Sequence, residues 1–143
     1  MNGINVLLVD DEIAFVETMA KRLTKRGLQV VSAFNGNEAL EKLGSSATTD
    51  VVILDVKMPG MDGIETLKVI KQNHPLVEVI MLTGHATVET AIEGMKQGAF
   101  DYLMKPCDMA QLMEKVNEAA SKKQRHEDKI VEARMKEITR RRA

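Results

Sequence analysis

A single cysteine, Cys107, stands in 143 residues, which excludes an internal disulfide and any zinc site built on several cysteines. The plainest reading of Cys107 is a small, partly buried hydrophobe rather than a nucleophile. Three prolines and nine glycines are too few for a low-complexity segment, and no internal repeat is visible. No apolar stretch is long enough to cross a bilayer, so no membrane partner is expected. Met1-Asn2-Gly3-Ile4 lacks the basic start and long apolar stretch of a signal peptide, and a cytoplasmic protein is expected. The length suits one domain with a real core.

The formal net charge of −1 conceals an asymmetry. From Ser121 onward there are nine Lys/Arg and four Asp/Glu, a net of +5, whereas residues 1–120 hold eleven Lys/Arg and seventeen Asp/Glu, a net of −6. An acidic body is a poor binder of nucleic acid, and the basic tail calls for a separate explanation.

Apolar runs alternate with segments of helical period. Runs at 4–9, 29–33, 51–54, 77–82 and 100–104 read as strands. Helices are expected at 12–26, 37–43, from the 59–63 turn through 73, 87–97 and 108–120. Phe15, Met19 and Leu23 share a face of the first; Ile64, Leu67 and Ile70 point inward on the third; Val88, Ala91, Ile92 and Met95 form a stripe on the fourth; Leu112, Met113 and Val116 point inward on the fifth. Gly27 and Gly98 end their helices, Asp62 and Glu65 have capping-box spacing, and 44–49 is a loop. Five strands alternating with five helices, joined by right-handed crossovers, predict an α/β parallel sheet covered on both faces.

Polar groups stand where these strands end. Asp10 and Asp11 follow the first, Asp55 the third, Thr83 the fourth and Lys105 the fifth. All strands of a parallel sheet end on one edge, where ligands of such folds bind. Each residue alone has an ordinary explanation: Asp10-Asp11-Glu12 as acids at a helix start, Thr83 and Lys105 as loop residues, Asp55 as a strand-terminal cap. Together they read as a phosphoryl-accepting site. Three carboxylates side by side repel one another and favour a hard cation, and Mg²⁺ suits a few carboxylates plus a phosphate oxygen. Asp55, at the end of the buried run Val51-Val52-Ile53-Leu54, is the candidate nucleophile. Lys105 and the Thr83 hydroxyl supply positive charge and a donor for the phosphoryl oxygens.

The chain resembles a response-regulator receiver domain of two-component signalling, and in the segment from Thr83 to Pro106 it is especially similar to receivers of enhancer-binding transcriptional activators. The matching segments are Val6-Leu7-Leu8-Val9-Asp10-Asp11-Glu12, Leu54-Asp55-Val56-Lys57-Met58-Pro59-Gly60-Met61-Asp62-Gly63, Leu82-Thr83-Gly84-His85-Ala86 and Gly98-Ala99-Phe100-Asp101-Tyr102-Leu103-Met104-Lys105-Pro106, within about residues 4–120. The resemblance implies a flavodoxin-like doubly wound five-stranded sheet of order 2-1-3-4-5, the order of a chemotaxis member of the same family. It implies that Asp55 accepts a phosphoryl group from a sensor histidine kinase or phosphotransfer protein. Asp10, Asp11, Asp55 and the Lys57 carbonyl would bind Mg²⁺, Thr83 and Lys105 would hold the phosphoryl group, Tyr102 would turn with Thr83 as a switch, and the Lys105-Pro106 bond would be cis. No enzymatic turnover is implied beyond self-phosphorylation and autodephosphorylation.

Lys57 and His85, each two residues past a site residue, are expected to overhang the phosphoryl group and tune its lifetime. Residues 1–120 are expected to form the receiver and 121–143 a basic amphipathic helical extension with Ile130, Val131, Met135 and Ile138 on one stripe. The extension reads as a dimerising element, as a linker to an output domain, or as a solvated helix touching nucleic acid weakly; direct DNA binding is not expected, and there is no phosphate-binding loop motif. Two rivals remain. A haloacid-dehalogenase-type phosphatase wants a second Asp two residues after the nucleophile, where this chain has Lys57. A receiver-fold interaction module working without phosphorylation would have no need of the intact Asp10, Asp11, Asp55, Thr83 and Lys105.

Overall fold

Five parallel strands build the molecule, and their burial explains the apolar runs. The structure is a computed structural model describing residues 3–45 and 48–142. Strands β1 (Asn5–Val9), β2 (Gln29–Ala33), β3 (Val51–Leu54), β4 (Glu78–Thr83) and β5 (Asp101–Met104) form one sheet in the order β2-β1-β3-β4-β5. Every residue of β3 and β4 is buried, so β3 reads as an unbroken apolar run and β4 as an apolar run, Val79–Leu82, between Glu78 and Thr83. The edge strands β2 and β5 each bury one face only in part.

Helices α1 (Ile13–Lys25), α2 (Gly36–Ser45), α3 (Gly63–Asn73), α4 (Val88–Lys96) and α5 (Met109–Arg142) follow their strands in turn. One core packs Leu7, Val52, Leu54 and Val79 against Ala39, Leu43, Leu67 and Ile70 of α2 and α3. The opposite core packs Leu8, Ile53, Ile80 and Leu82 against Val16, Met19 and Leu23 of α1 and Leu112, Val116 and Ala119 of α5. Each fully buried Leu or Ile contributes roughly 1.5–3 kcal/mol relative to exposure. Helix α4 is the exception: only Gly94 is buried, and Val88, Ile92 and Met95 face solvent. Its apolar stripe is therefore not a core face.

Boundaries differ from the sequence expectation by small steps. Strand β4 begins at Glu78 rather than at 77 and takes in Thr83 as its last residue. Helix α2 runs longer at both ends, and part of the expected 44–49 loop, residues 46 and 47, lies outside the described residues. On α1 it is Val16 that is fully buried beside Met19 and Leu23, while Phe15 is half-buried. Ile64 and Met113 are likewise half-buried at the margins of the cores. Asp62 caps α3 by accepting from the Glu65 amide at 2.9 Å. Helix α5 passes through Ala120 without a break. Among the described residues no helix is long and apolar enough to cross a membrane.

Two acids at the N-terminal edge of the sheet, the half-buried Asp50 and the buried Glu78, fasten α5. Asp50, just before β3, accepts from the Asn5 amide at 2.9 Å and from Lys123 at 3.2 Å. Glu78 opens β4 almost wholly buried, with Lys122 at 3.6 Å and Lys71 of α3 at 3.8 Å. Burial pushes the Lys71 ammonium below its ordinary value, although Glu78 opposes the shift.

The loop that carries the third strand end into α3 has no spare room. A Cβ on Gly63 would lie 2.0 Å from the Asp55 carbonyl oxygen and 2.7 Å from Val56 Cα, both backbone atoms. Gly63→Ala is expected to destabilise the fold by about 2 kcal/mol, since backbone must move to admit the methyl group. Urea unfolding checks this; an unchanged midpoint would contradict the packing described for this loop.

Candidate functional site

The parallel register brings the C-terminal ends of β1, β3, β4 and β5 to one edge. Asp10 and Asp55 follow β1 and β3 and are held there by backbone bonds, Asp10 N–H to the Ala33 carbonyl at 3.1 Å and Asp55 N–H to the Val9 carbonyl at 3.0 Å. Both carboxylates are buried, whereas Asp11 is exposed. Oxygens of Asp10, Asp11 and Asp55 lie within 4.8 Å of one another. This is a compact set of hard oxygen donors, the chemistry a divalent cation such as Mg²⁺ requires.

Each buried carboxylate has one oxygen committed to backbone and one turned to the cleft. Asp10 Oδ1 accepts from the Glu12 amide at 2.9 Å, and Asp55 Oδ1 from the Val56 amide at 2.8 Å. The remaining oxygens face Lys105. Its Nζ lies 2.6 Å from Asp10 Oδ2 and 4.0 Å from Asp55 Oδ2. It also reaches Glu12 Oε1 at 3.1 Å and sits 3.9 Å above the centroid of the Phe15 ring. Lys105 is aimed by the end of β5, where its amide donates to the Thr83 carbonyl at 2.9 Å, and the Lys105-Pro106 peptide is cis.

The pair is electrostatically uneven. Burial raises the Asp10 pKa, and the hydrogen bonds from Lys105 and from the Glu12 amide only partly offset it. Burial acts on Lys105 in the direction of lowering, but the bonds to Asp10 and Glu12 outweigh it and the ammonium pKa is raised. Asp10 is the more deeply buried partner, so desolvation governs the acid and pairing governs the base.

Thr83 ends β4 fully buried, and its Oγ1 accepts from the His85 amide at 3.0 Å. A shallow cleft beside Asp55 is lined by Asp11, Glu12, Lys57, Met58, Pro59 and His85. Lys57 and His85 thus flank the opening from two different loops. Tyr102 is half-buried in β5 with its hydroxyl 2.7 Å from Thr90 Oγ1. Thr90 is also half of the α4 capping box, since Thr87 Oγ1 accepts from the Thr90 amide and Thr90 Oγ1 from the Thr87 amide.

Sequence reasoning missed Glu12 and Phe15 as the second and third holders of Lys105, and Thr90 as the partner of Tyr102. The Thr87-x-x-Thr90 spacing signals a cap; nothing in sequence signals the tyrosine. Cys107 is half-buried, with its thiol directed at the Asp108 carbonyl and Gln111, and burial raises its pKa, as befits an unreactive side chain.

Comparison with known proteins places this geometry among relatives. The family described as "Response regulator receiver domain" matches residues 6–117. The DNA-binding transcriptional regulator NtrC of Klebsiella pneumoniae is 41% identical over 114 residues, covering 80% of this chain and 24% of that protein. The transcriptional regulatory protein ZraR of Klebsiella oxytoca is 39% identical over 129 residues, covering 90% of this chain and 29% of that protein. The chain thus spans about a quarter of the length of these curated relatives. Among solved structures, a response regulator receiver domain protein from Clostridium thermocellum superposes with a TM-score of 0.81 at 36% identity, covering 85% of this chain and 97% of its own. NtrX from Brucella abortus superposes with a TM-score of 0.81 at 30% identity, covering 88% of this chain and 29% of its own.

Because burial raises the Asp10 pKa, folding favours its protonated form. The stability this group contributes is full below its ordinary value of 3.8 and is lost as pH rises through the folded-state pKa. Asp10→Asn, which mimics the protonated acid, is expected to raise the thermal midpoint at neutral pH in the presence of chelator. Calorimetry across the acid-to-neutral range checks it, and a lowered neutral midpoint would refute the account of Asp10 as a destabilising buried charge.

Proposed function

The chain belongs to the response regulator receiver domain family of two-component signalling, and on that premise we propose that Asp55 is its phosphoacceptor. The observation that carries this is the meeting of three carboxylates within 4.8 Å with an ammonium 4.0 Å from Asp55 Oδ2. Asp55 Oδ2 is the nucleophilic oxygen, because Oδ1 is bound to the Val56 amide. It attacks the phosphorus of a phosphohistidine on a sensor kinase or phosphotransfer protein; the P–N bond breaks and an aspartyl-phosphate forms. Later attack of water on phosphorus restores the carboxylate and releases inorganic phosphate. The chain carries no further catalytic turnover.

Asp10, Asp11 and Asp55, with the Lys57 carbonyl, would hold Mg²⁺, which when bound would supply charge neutralisation for the transferring phosphoryl group. Lys105 holds a phosphoryl oxygen once it leaves Asp10, and Thr83 donates its hydroxyl once it leaves the His85 amide. That second movement alters the end of β4 beside α4 and β5. Tyr102 reports it outward by leaving Thr90, which changes the cap of α4 as well. A two-state surface of α4, β5 and α5 is thereby biased by one covalent event.

Residues 1–120 act as the receiver and 121–143 as an extension that serves association with a second copy of the chain rather than DNA. Relatives such as NtrC and ZraR are several times longer, and the output partner or output domain for this receiver reads the α4–β5–α5 face. Lys57 and His85 overhang the cleft and hinder the hydrolytic water.

Incubation with acetyl phosphate and Mg²⁺ is expected to add one phosphoryl mass, seen by intact mass spectrometry, and both Asp55→Asn and chelation of the metal are expected to abolish it. A mass gain that survives Asp55→Asn would refute the assignment. Lys57→Ala with His85→Ala is expected to shorten the phosphoprotein lifetime several-fold in a decay time course. An unchanged decay would refute the shielding role and leave the acceptor assignment standing.

A further inference from the structure

Phe15 has no group that could bind a metal or a phosphoryl oxygen, yet it touches the ammonium beside Asp55. Its ring faces Lys105, with Nζ 3.9 Å from the centroid, well inside the reach of a cation–π contact. Glu12 meets the same ammonium at 3.1 Å. The two residues are three apart at the start of α1, so carboxylate and ring stand on one side of that helix.

The first turn of α1 is tied to the site through its backbone. The Glu12 amide donates to Asp10 Oδ1 at 2.9 Å, and the Val16 amide donates to the Glu12 carbonyl at 3.0 Å. The two holders of Lys105 differ in stiffness. The Glu12 side chain is 63% exposed, and an ion pair in such a place is weak and screened by salt. Phe15 is half-buried and packs on the core beneath α1, so its ring has a fixed place. Lys105 itself is a point charge on a long flexible stem and needs something to aim it.

The carboxylates alone cannot aim it throughout the reaction. Asp10 Oδ2 at 2.6 Å and Asp55 Oδ2 at 4.0 Å attract the ammonium in this structure. Those oxygens belong to the donors a divalent cation would take, and a second positive charge beside them disfavours the first. The Phe15 ring neither ligates metal nor carries a charge to be neutralised. Its attraction for an ammonium strengthens as water is excluded.

We propose that Phe15 is a positioning residue for phosphoryl transfer, its ring keeping the Lys105 ammonium at the cleft when the carboxylates are engaged elsewhere. The role rests on the reading of Asp55 as the phosphoacceptor. The ring contact has a signature of its own, because the face of an aromatic ring shields nearby protons. In protein carrying ¹³Cε-lysine, the Lys105 signal is identified by its loss in Lys105→Met. Its ε-protons are expected upfield of those of the other lysines, both without metal and at saturating Mg²⁺. The shift is expected to vanish in Phe15→Leu, which keeps apolar bulk, and to persist in Phe15→Tyr, which keeps a ring face. Phosphorylation by acetyl phosphate at saturating Mg²⁺, followed by intact mass, is expected to slow about threefold in Phe15→Leu, the size of a partly exposed cation–π contact. Phe15→Tyr is expected to restore the rate. Loss of the upfield shift on adding Mg²⁺ would overturn the proposal, as would a Phe15→Leu protein phosphorylated at the wild-type rate. A wild type that takes up no phosphoryl group while keeping the shift would overturn the role through the Asp55 reading instead, so the two failures are distinguishable.

Discussion

The contact on which the molecule turns is the ammonium of Lys105 set against Asp10 and Asp55. Two buried carboxylates and a third exposed one at the same sheet edge would repel one another without a counter-charge. Lys105 supplies that charge from nearly a hundred residues away, and Glu12 and Phe15 keep its long side chain over the cleft. The same carboxylate oxygens that hold the ammonium are those a divalent cation would take. The site is therefore balanced in its present ionic arrangement, and the proposed phosphoryl transfer would draw on the same oxygens.

The opposite edge of the sheet repeats the device for a structural end. Glu78 and Asp50 are acids at strand starts, and Lys71, Lys122 and Lys123 neutralise them from α3 and α5. Isolated buried charges are costly, so these pairs specify where α5 sits more than they add stability. Between the two charged edges lie two apolar layers that contain almost no polar side chains. Helix α4 has little share in either layer. Its attachment rests on the buried Gly94, set close to Tyr102, Ile64 and Met81, and on the Thr90–Tyr102 hydrogen bond.

Much of this was legible in the chain. The apolar runs Val51–Leu54 of β3 and Val79–Leu82 of β4 reflect burial on both faces, and a charged or hydroxyl residue that ends such a run is conspicuous. Asp10, Asp55, Thr83 and Lys105 were visible for that reason. Glu12, Phe15 and Thr90 were not, because their roles lie in contacts with Lys105 and Tyr102 that no local spacing encodes. Glu78 lies inside the apolar segment 77–82, and its partners Lys71 and Lys122 come from two other helices, which no local spacing encodes. The stripe on α4 showed as a period, but period alone does not say whether a stripe faces core or solvent.

What the sequence by itself determined is the set of elements, the alternation that makes the sheet parallel, and the chemistry of the residues at the strand ends. Those follow from local periodicity, from glycine and capping residues, and from the cost of burying polar groups. The tertiary structure alone decided that Lys105 rests on Asp10 rather than Asp55, that Thr83 and Tyr102 are held by His85 and Thr90, and that the α4 and tail stripes both stand in water. These depend on distances between segments far apart in the chain, and such distances exist only once the sheet has brought its strand ends together.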